Sequence, residues 1–270
     1  MLLWLRLRKA LYCVLRPTLW RALLAGVAPS IEHTRALAGR PFKTIIDVGA
    51  NRGQFALFAR LNNPSARIYA FEPLKGPSSL FRSLFARDRN TILAQTAIGA
   101  STMDGKIYVA AADDSSSLLK PSVYCDQMSL RSGCTVEPVT IRRLDNCIDA
   151  KKIARPSLLK IDVEGYEQLV LAGSDAILPY ADVLYVECSY VQLNEGQALA
   201  SEIIEFLRRK GFRFAGVFNQ VTMKGVGPTQ GDFLFLRDDE KIGVGDNRTA
   251  QEECDERRWN QGHHSAAGLS

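Results

Sequence analysis

The chain has 270 residues, of which 46 % are hydrophobic and 23 % charged. That is the make-up of a soluble globular protein with one large domain and extensions, whose core needs no covalent staples. The net charge of +5 is uneven: residues 1–43 hold eight Lys/Arg against Glu32 alone, so the rest of the chain is slightly acidic and gives no sign of a nucleic-acid-binding body.

In chain order, the opening "MLLWLRLRKALYCVLRPTLWRALLAG" mixes Leu and Trp with basic residues. Its arginines interrupt every apolar run, so none approaches the ~20 residues of a membrane span, and the pattern argues against a cleaved signal peptide. At helical spacing Arg6, Lys9, Arg16 and Arg21 share one side, much of the Leu/Trp content faces away, Arg8 is off-register and Pro17 divides the helix. Two readings stand for residues 1–42. One is an arm that packs on its own domain or on a dimer mate. The other, placed second because the pattern is imperfect, is peripheral contact of residues 1–24 with an anionic membrane.

Residues 43–237 then alternate: strand "TIIDVG", helix "GQFALFARLN", strand "ARIYAFEP", helix "SSLFRSLFARD", strand "TILAQTAIG". This rhythm predicts a parallel sheet with helices on both faces. "GKIYVAA" and "TVEPVTIRRLD" read as antiparallel strands around the polar loop "DDSSSLLKPSVYC". Alternation resumes with "SLLKIDVEG", "YEQLVLAG", "DVLYVECS" and "ALASEIIEFLRRKG", and closes on a hairpin of "FRFAGVFN" and "GDFLFLR" with "NQVTMKGVGPTQ" as a long connection. The tail 238–270 is polar and without periodicity, as in a disordered segment, so its His263 and His264 are not read as a metal pair. The six cysteines form no C-x-x-C pair, which argues against zinc or a disulfide framework and fits a reducing cytoplasm.

Ligands of such sheets bind beyond the carboxyl ends of the strands. The first strand-to-helix turn reads Asp47-x-Gly49-x-Asn51-x-Gly53. Asn51 stands where a dinucleotide fingerprint needs its middle glycine, and an acid before the turn repels phosphate but suits an ammonium group. The turn therefore points from NAD towards S-adenosylmethionine. Glu72, about twenty residues on at the end of the second strand, is placed to accept the ribose hydroxyls. Asp162 and Glu164 in "LLKIDVEGYE", with Glu187 ending "VLYVEC", bring acids to neighbouring strand ends. Such acids serve as a general base or hold a divalent cation, a role possible here but not favoured for want of a fixed ligand spacing. With histidines only at 33, 263 and 264, no other base is expected in the core. Ser115, Ser116 and Ser117 form a loop able to close over the cofactor.

Together, "IIDVGANRGQF", "IYAFEP", "AIG", "DSSSLL", "LLKIDVEGYE" and "YVECS" resemble the FkbM family of S-adenosylmethionine-dependent methyltransferases over approximately residues 43–237. The resemblance implies an α/β fold with a Rossmann-like, seven-strand class I methyltransferase sheet. It also implies O-methylation of a hydroxyl on a sugar, glycan or polyketide-like small molecule. In such proteins the turn Asp47 to Gly53, with Gly49 and Asn51, holds the methionine part of the cofactor, the acid matching Glu72 binds ribose, and the segment from Asp162 to Glu167 lines the cleft. A nicotinamide oxidoreductase and a non-catalytic membrane-associated module are the alternatives.

Overall fold

The computed structural model describes residues 2–110, 115–122 and 134–238, with side chains from residue 8 onward. The expectations for the tail beyond Asp238, for part of the serine loop and for His263 and His264 lie outside the described residues.

The first strand, β1 (Thr44–Val48), is wholly buried, as is β7 (Ser157–Ile161) beside it. Burial on both faces explains why both read as mostly apolar runs, broken by Asp47 and Lys160, rather than as alternating ones. From β1 the chain steps outward through β2 (Arg67–Phe71) and β3 (Thr91–Ala94), then returns to β7 and steps the other way to β8 (Val183–Ser189). These strands are parallel; β9 (Phe212–Met223) and β10 (Gly227–Arg237) add an antiparallel hairpin, giving the order β3-β2-β1-β7-β8-β10-β9. The direction of stepping reverses between β1 and β7, so their carboxyl ends frame the crevice where an open α/β sheet binds its ligand.

The chain elements between strands are helices where the apolar spacing demands it. Among them, α4 (Gln54–Asn62) follows β1 and α5 (Lys75–Leu84) follows β2; α6 (Glu167–Ala172) follows β7 and α7 (Ala200–Arg209) follows β8. In α7, Ala200, Ile203 and Leu207 form the buried stripe, the Leu199 N–H is capped by Glu202 at 2.8 Å, and Arg208 and Arg209 meet the negative end of the helix dipole.

Two expectations change. "TILAQTAIG" is two strands: β3 stays in the main sheet, whereas β4 (Ala97–Ile98) pairs with β6 (Thr135–Arg142) in a second sheet of order β4-β6-β5 that includes β5 (Met103–Val109). The switch is fixed by Thr96, whose hydroxyl donates to the Thr140 carbonyl at 2.8 Å. The hairpin connection is only residues 224–226, because polar "NQVTM" continues β9. An edge strand largely exposed to water tolerates polar residues on both faces.

The N-terminal arm comprises α1 (Leu2–Val14), a turn at Pro17, α2 (Trp20–Leu24) and α3 (Thr34–Leu37). Cys13, Leu19, Ala22 and Val27 are buried, and Lys9 pairs with Glu32 at 2.8 Å. Among the described residues no helix is long and apolar enough to cross a membrane.

Candidate active site

A cavity of about 340 Å³ opens over the carboxyl ends of β1, β2, β7 and β8. Of the residues read as cofactor ligands, Gly49, Asn51, Glu72 and Ser116 line it; Asp47 and Gly53 are not among its lining residues. Gly49 has φ +82°, and a Cβ there would fall 1.8 Å from the Asp162 carbonyl oxygen. The turn after β1 thus rests directly on the chain leaving β7. Gly53 serves packing: a Cβ would press on Phe81 of α5 and on Phe85 at its end. Asn51 adopts a left-handed φ of 46°, which Asn tolerates better than most side chains. Its N–H then donates to Glu72 Oε2 at 2.9 Å, while Leu74 N–H donates to Oε1 at 2.8 Å. Burial lifts Glu72 to about 7, against the pull of these two N–H groups.

Asp47 is fully buried, and burial pushes its carboxyl above the ordinary range although Lys160 draws it down. Lys160 Nζ lies 3.4 Å from Asp47 and 3.1 Å from Asp162, donates to the Gly49 carbonyl at 3.3 Å and sits over the Phe55 ring. Burial works against its charge, but the two carboxylates prevail and hold the ammonium protonated. Lys160, rather than Asp47, meets the cavity.

The three acids of the rim come together: oxygens of Asp162, Glu164 and Glu187 lie within 4.8 Å of one another, and all three residues line the cavity. Glu164 has φ 53°, and its carbonyl accepts from Ser117 Oγ at 2.7 Å and Asn194 Nδ2 at 2.8 Å. Glu187 accepts from Gln230 Nε2 at 2.7 Å; burial, reinforced by Asp162 and Glu164, raises it well above the usual carboxylate range. A crowd of carboxylates is relieved by one positive charge, whether a proton or a cation.

The expectation that places all three histidines outside the core is corrected for His33. The latter part of the arm, anchored to the start of α4 by Ser30 N–H on the Gln54 carbonyl at 3.1 Å, seats His33 in the cavity wall between Phe55, Phe58 and Tyr185. His33 Nδ1 lies 3.2 Å from the Tyr185 hydroxyl and 3.4 Å from Asp232. Asp232 also accepts from Tyr185 at 2.9 Å and from Asn219 at 2.8 Å. Burial would raise Asp232, but these donors and His33 carry it below the ordinary value. A lone His before the first strand gives no periodic signal; a charged Lys160 inside an otherwise apolar strand does.

The model of the methyltransferase FkbM domain matches residues 47–214, well over half of the chain. The chain belongs to the FkbM methyltransferase family. Within the family it is similar to the 31-O-demethyl-FK506 methyltransferase FkbM of Streptomyces tacrolimicus, 27 % identical over 208 residues, covering 64 % of this chain and 74 % of that protein. It is also similar to the 2-O-methyltransferase NoeI of Sinorhizobium fredii, 26 % identical over 181 residues with 64 % and 74 % covered. A solved magnesium protoporphyrin IX methyltransferase from Synechocystis PCC 6803 with bound S-adenosylmethionine aligns at a TM-score of 0.40 and 11 % identity, over 73 % of this chain and 71 % of that one.

As a member of the FkbM family, the protein is an S-adenosylmethionine-dependent methyltransferase, which removes the oxidoreductase alternative. Its residues fit that cofactor. The cavity volume is in the range of small-ligand sites. Glu72 keeps acceptor capacity beyond its two backbone donors, and Gln54 in the cavity wall buries Oε1 without a hydrogen-bond partner.

Proposed function

We propose that this protein methylates a hydroxyl on a sugar, a glycan or a polyketide-like small molecule. The observation that carries the reading is the pairing of two unlike walls in one cavity. Backbone-held Glu72 stands on one side, and the carboxylates of Asp162, Glu164 and Glu187 stand on the other. The O-methylating relatives support the choice of oxygen as acceptor.

In this reading Glu72 takes the ribose hydroxyls, the backbone of Gly49 and Asn51 with Ser116 borders the remainder of the cofactor, and Asp47 acts through Lys160. Bound S-adenosylmethionine supplies a methyl carbon activated by its sulfonium. The protein's part is to orient the acceptor oxygen and take its proton. Asp162 is the first acceptor for that proton. Glu187, holding its own proton, donates a hydrogen bond instead, and Glu164 fixes the loop. His33, oriented by Asp232, is the other proton acceptor on the wall. A second reading, a divalent cation held by the three acids, is favoured by their 4.8 Å grouping. It ranks behind because Asp162 already meets Lys160 and Glu187 meets Gln230.

The test measures S-adenosylhomocysteine release with a panel of glycan and polyol acceptors. Asp162→Asn is expected to cut turnover ~10²-fold with little change in cofactor affinity. Glu72→Ala is expected to weaken calorimetric binding of S-adenosylmethionine about tenfold or more. EDTA that stops the enzyme, with recovery in Mg²⁺, selects the cation. Wild-type turnover by the Asn variant removes Asp162 from the chemistry and leaves His33, Glu164 and Glu187.

A further inference from the structure

Twelve large hydrophobic residues are exposed among the described ones, and five of them fall between residues 11 and 24: Leu11 (60 %), Val14 (53 %), Leu15 (68 %), Trp20 (52 %) and Leu24 (89 %). They form one patch. Leu11 and Val14 of α1, with Leu15 just past its end and its N–H still on the Leu11 carbonyl at 3.1 Å, share one face at i, i+3 and i+4 spacing. Trp20 is tied to that face by its indole N–H on the Val14 carbonyl at 2.9 Å, and Leu24 follows Trp20 by one turn. The opposite side of α1 is turned to the protein: Cys13 is fully buried and Lys9 reaches Glu32. The arm therefore presents its apolar side to water, which its own domain does not cover.

The charge around the patch says what covers it. No Asp or Glu precedes Glu32, while Arg8 and Arg21 are exposed and Arg16 is half-buried against Tyr12. A two-fold contact between copies would set this cationic patch against itself. A bilayer with anionic headgroups instead accepts the Leu and Trp side chains below its surface and the arginines at it. The helices are too short and too interrupted to go through. We propose that the outer face of residues 8–24 docks the protein in the plane of an anionic lipid bilayer. This surface is separate from the catalytic reading and its test uses no acceptor.

The full-length protein is sedimented with vesicles of phosphatidylcholine, with and without phosphatidylglycerol. Binding is expected only with the anionic lipid, and is expected to weaken as salt rises. Leu11→Asp with Leu15→Asp alters two side chains already in water, leaves calorimetric binding of S-adenosylmethionine unchanged, and is expected to weaken vesicle affinity at least about tenfold. With Trp4→Phe and Trp259→Phe in place, Trp20 emission is expected to shift to the blue on adding the anionic vesicles. Absence of sedimentation, equal binding by the Asp variant, or a dimer in light scattering that the variant abolishes without any vesicle binding would overturn the proposal, the last in favour of a second copy.

Discussion

Lys160 is 4 % exposed in a strand of otherwise uncharged residues, and its ammonium stands between Asp47 and Asp162. Neither Asp47 carboxylate oxygen has a hydrogen-bond partner, so the cation alone offsets a fully buried charge. Lys160→Met should then destabilise the fold by about 3 kcal/mol or more, and adding Asp47→Asn should restore a large part of it. Urea unfolding of both variants tests the pair; a neutral single variant would show that the ion pair is not structural. Glu167 makes a different prediction. Burial raises it from 4.5 to about 7, against the N–H groups of Gly165 and Val163 that its Oε1 accepts at 3.0 and 3.2 Å. The folded state thus holds this proton more tightly than the unfolded chain does. Its contribution to stability is complete below pH 4.5 and is lost as pH rises towards 7, at up to ~1.4 kcal/mol per pH unit. Glu167→Gln keeps an acceptor for both N–H groups and has no proton to lose. It should be more stable than wild type at pH 8, relative to pH 5, by about 3 kcal/mol in denaturant midpoints. An unchanged difference between the two pH values would remove Glu167 as the origin of the slope.

At the scale of elements, the sequence reveals what is local and hides what depends on distant contacts. The glycine turn after β1 is legible because Gly49, Asn51 and Gly53 carry left-handed backbones within five residues. The tighter demand on Gly49 is not legible, since it comes from the Asp162 carbonyl, brought there only by pairing β1 with β7. Asp162, Glu164 and Glu187 are found because each ends an apolar run. His33 escapes because its partners, Tyr185, Asn219 and Asp232, lie more than 150 positions away. Asn219 was hidden for a further reason. It sits where the β9–β10 register slips between Gln230 and Asp232, with φ 47°, and the irregularity turns its amide onto Asp232. Bulges re-aim side chains in this way, and alternation counting does not see them. Which face of α1 the protein covers is not legible from spacing alone: the helical wheel separates the two sides but does not say which one packs inward.

On the scale of the whole molecule, the alternation of strands and helices and the crevice at their carboxyl ends could be read directly, because the central parallel strands β1, β7 and β8 advertise their burial in their own letters. The second sheet was half visible, in the antiparallel β5 and β6, while β4 was concealed inside a longer apolar run. The position of β10 has a consequence for how the chain is made. It is the final strand among the described residues but an interior strand of the sheet, inserted between β8 and β9. During synthesis from the N-terminus, β8 waits with one row of backbone N–H and C=O groups unpaired and with Val183, Leu184, Tyr185 and Val186 ready for burial. An open, hydrophobic edge of that kind is a template for pairing with another chain. Completion of the last eleven-residue strand, and with it the arrival of Asp232 beside His33, therefore ends both the vulnerable interval and the wait for a finished site. A chain stopped after Met223 should accumulate as insoluble aggregate and bind no S-adenosylmethionine, whereas one stopped after Asp238 should stay in solution and bind it; equal solubility of the two would show that β8 tolerates an open edge.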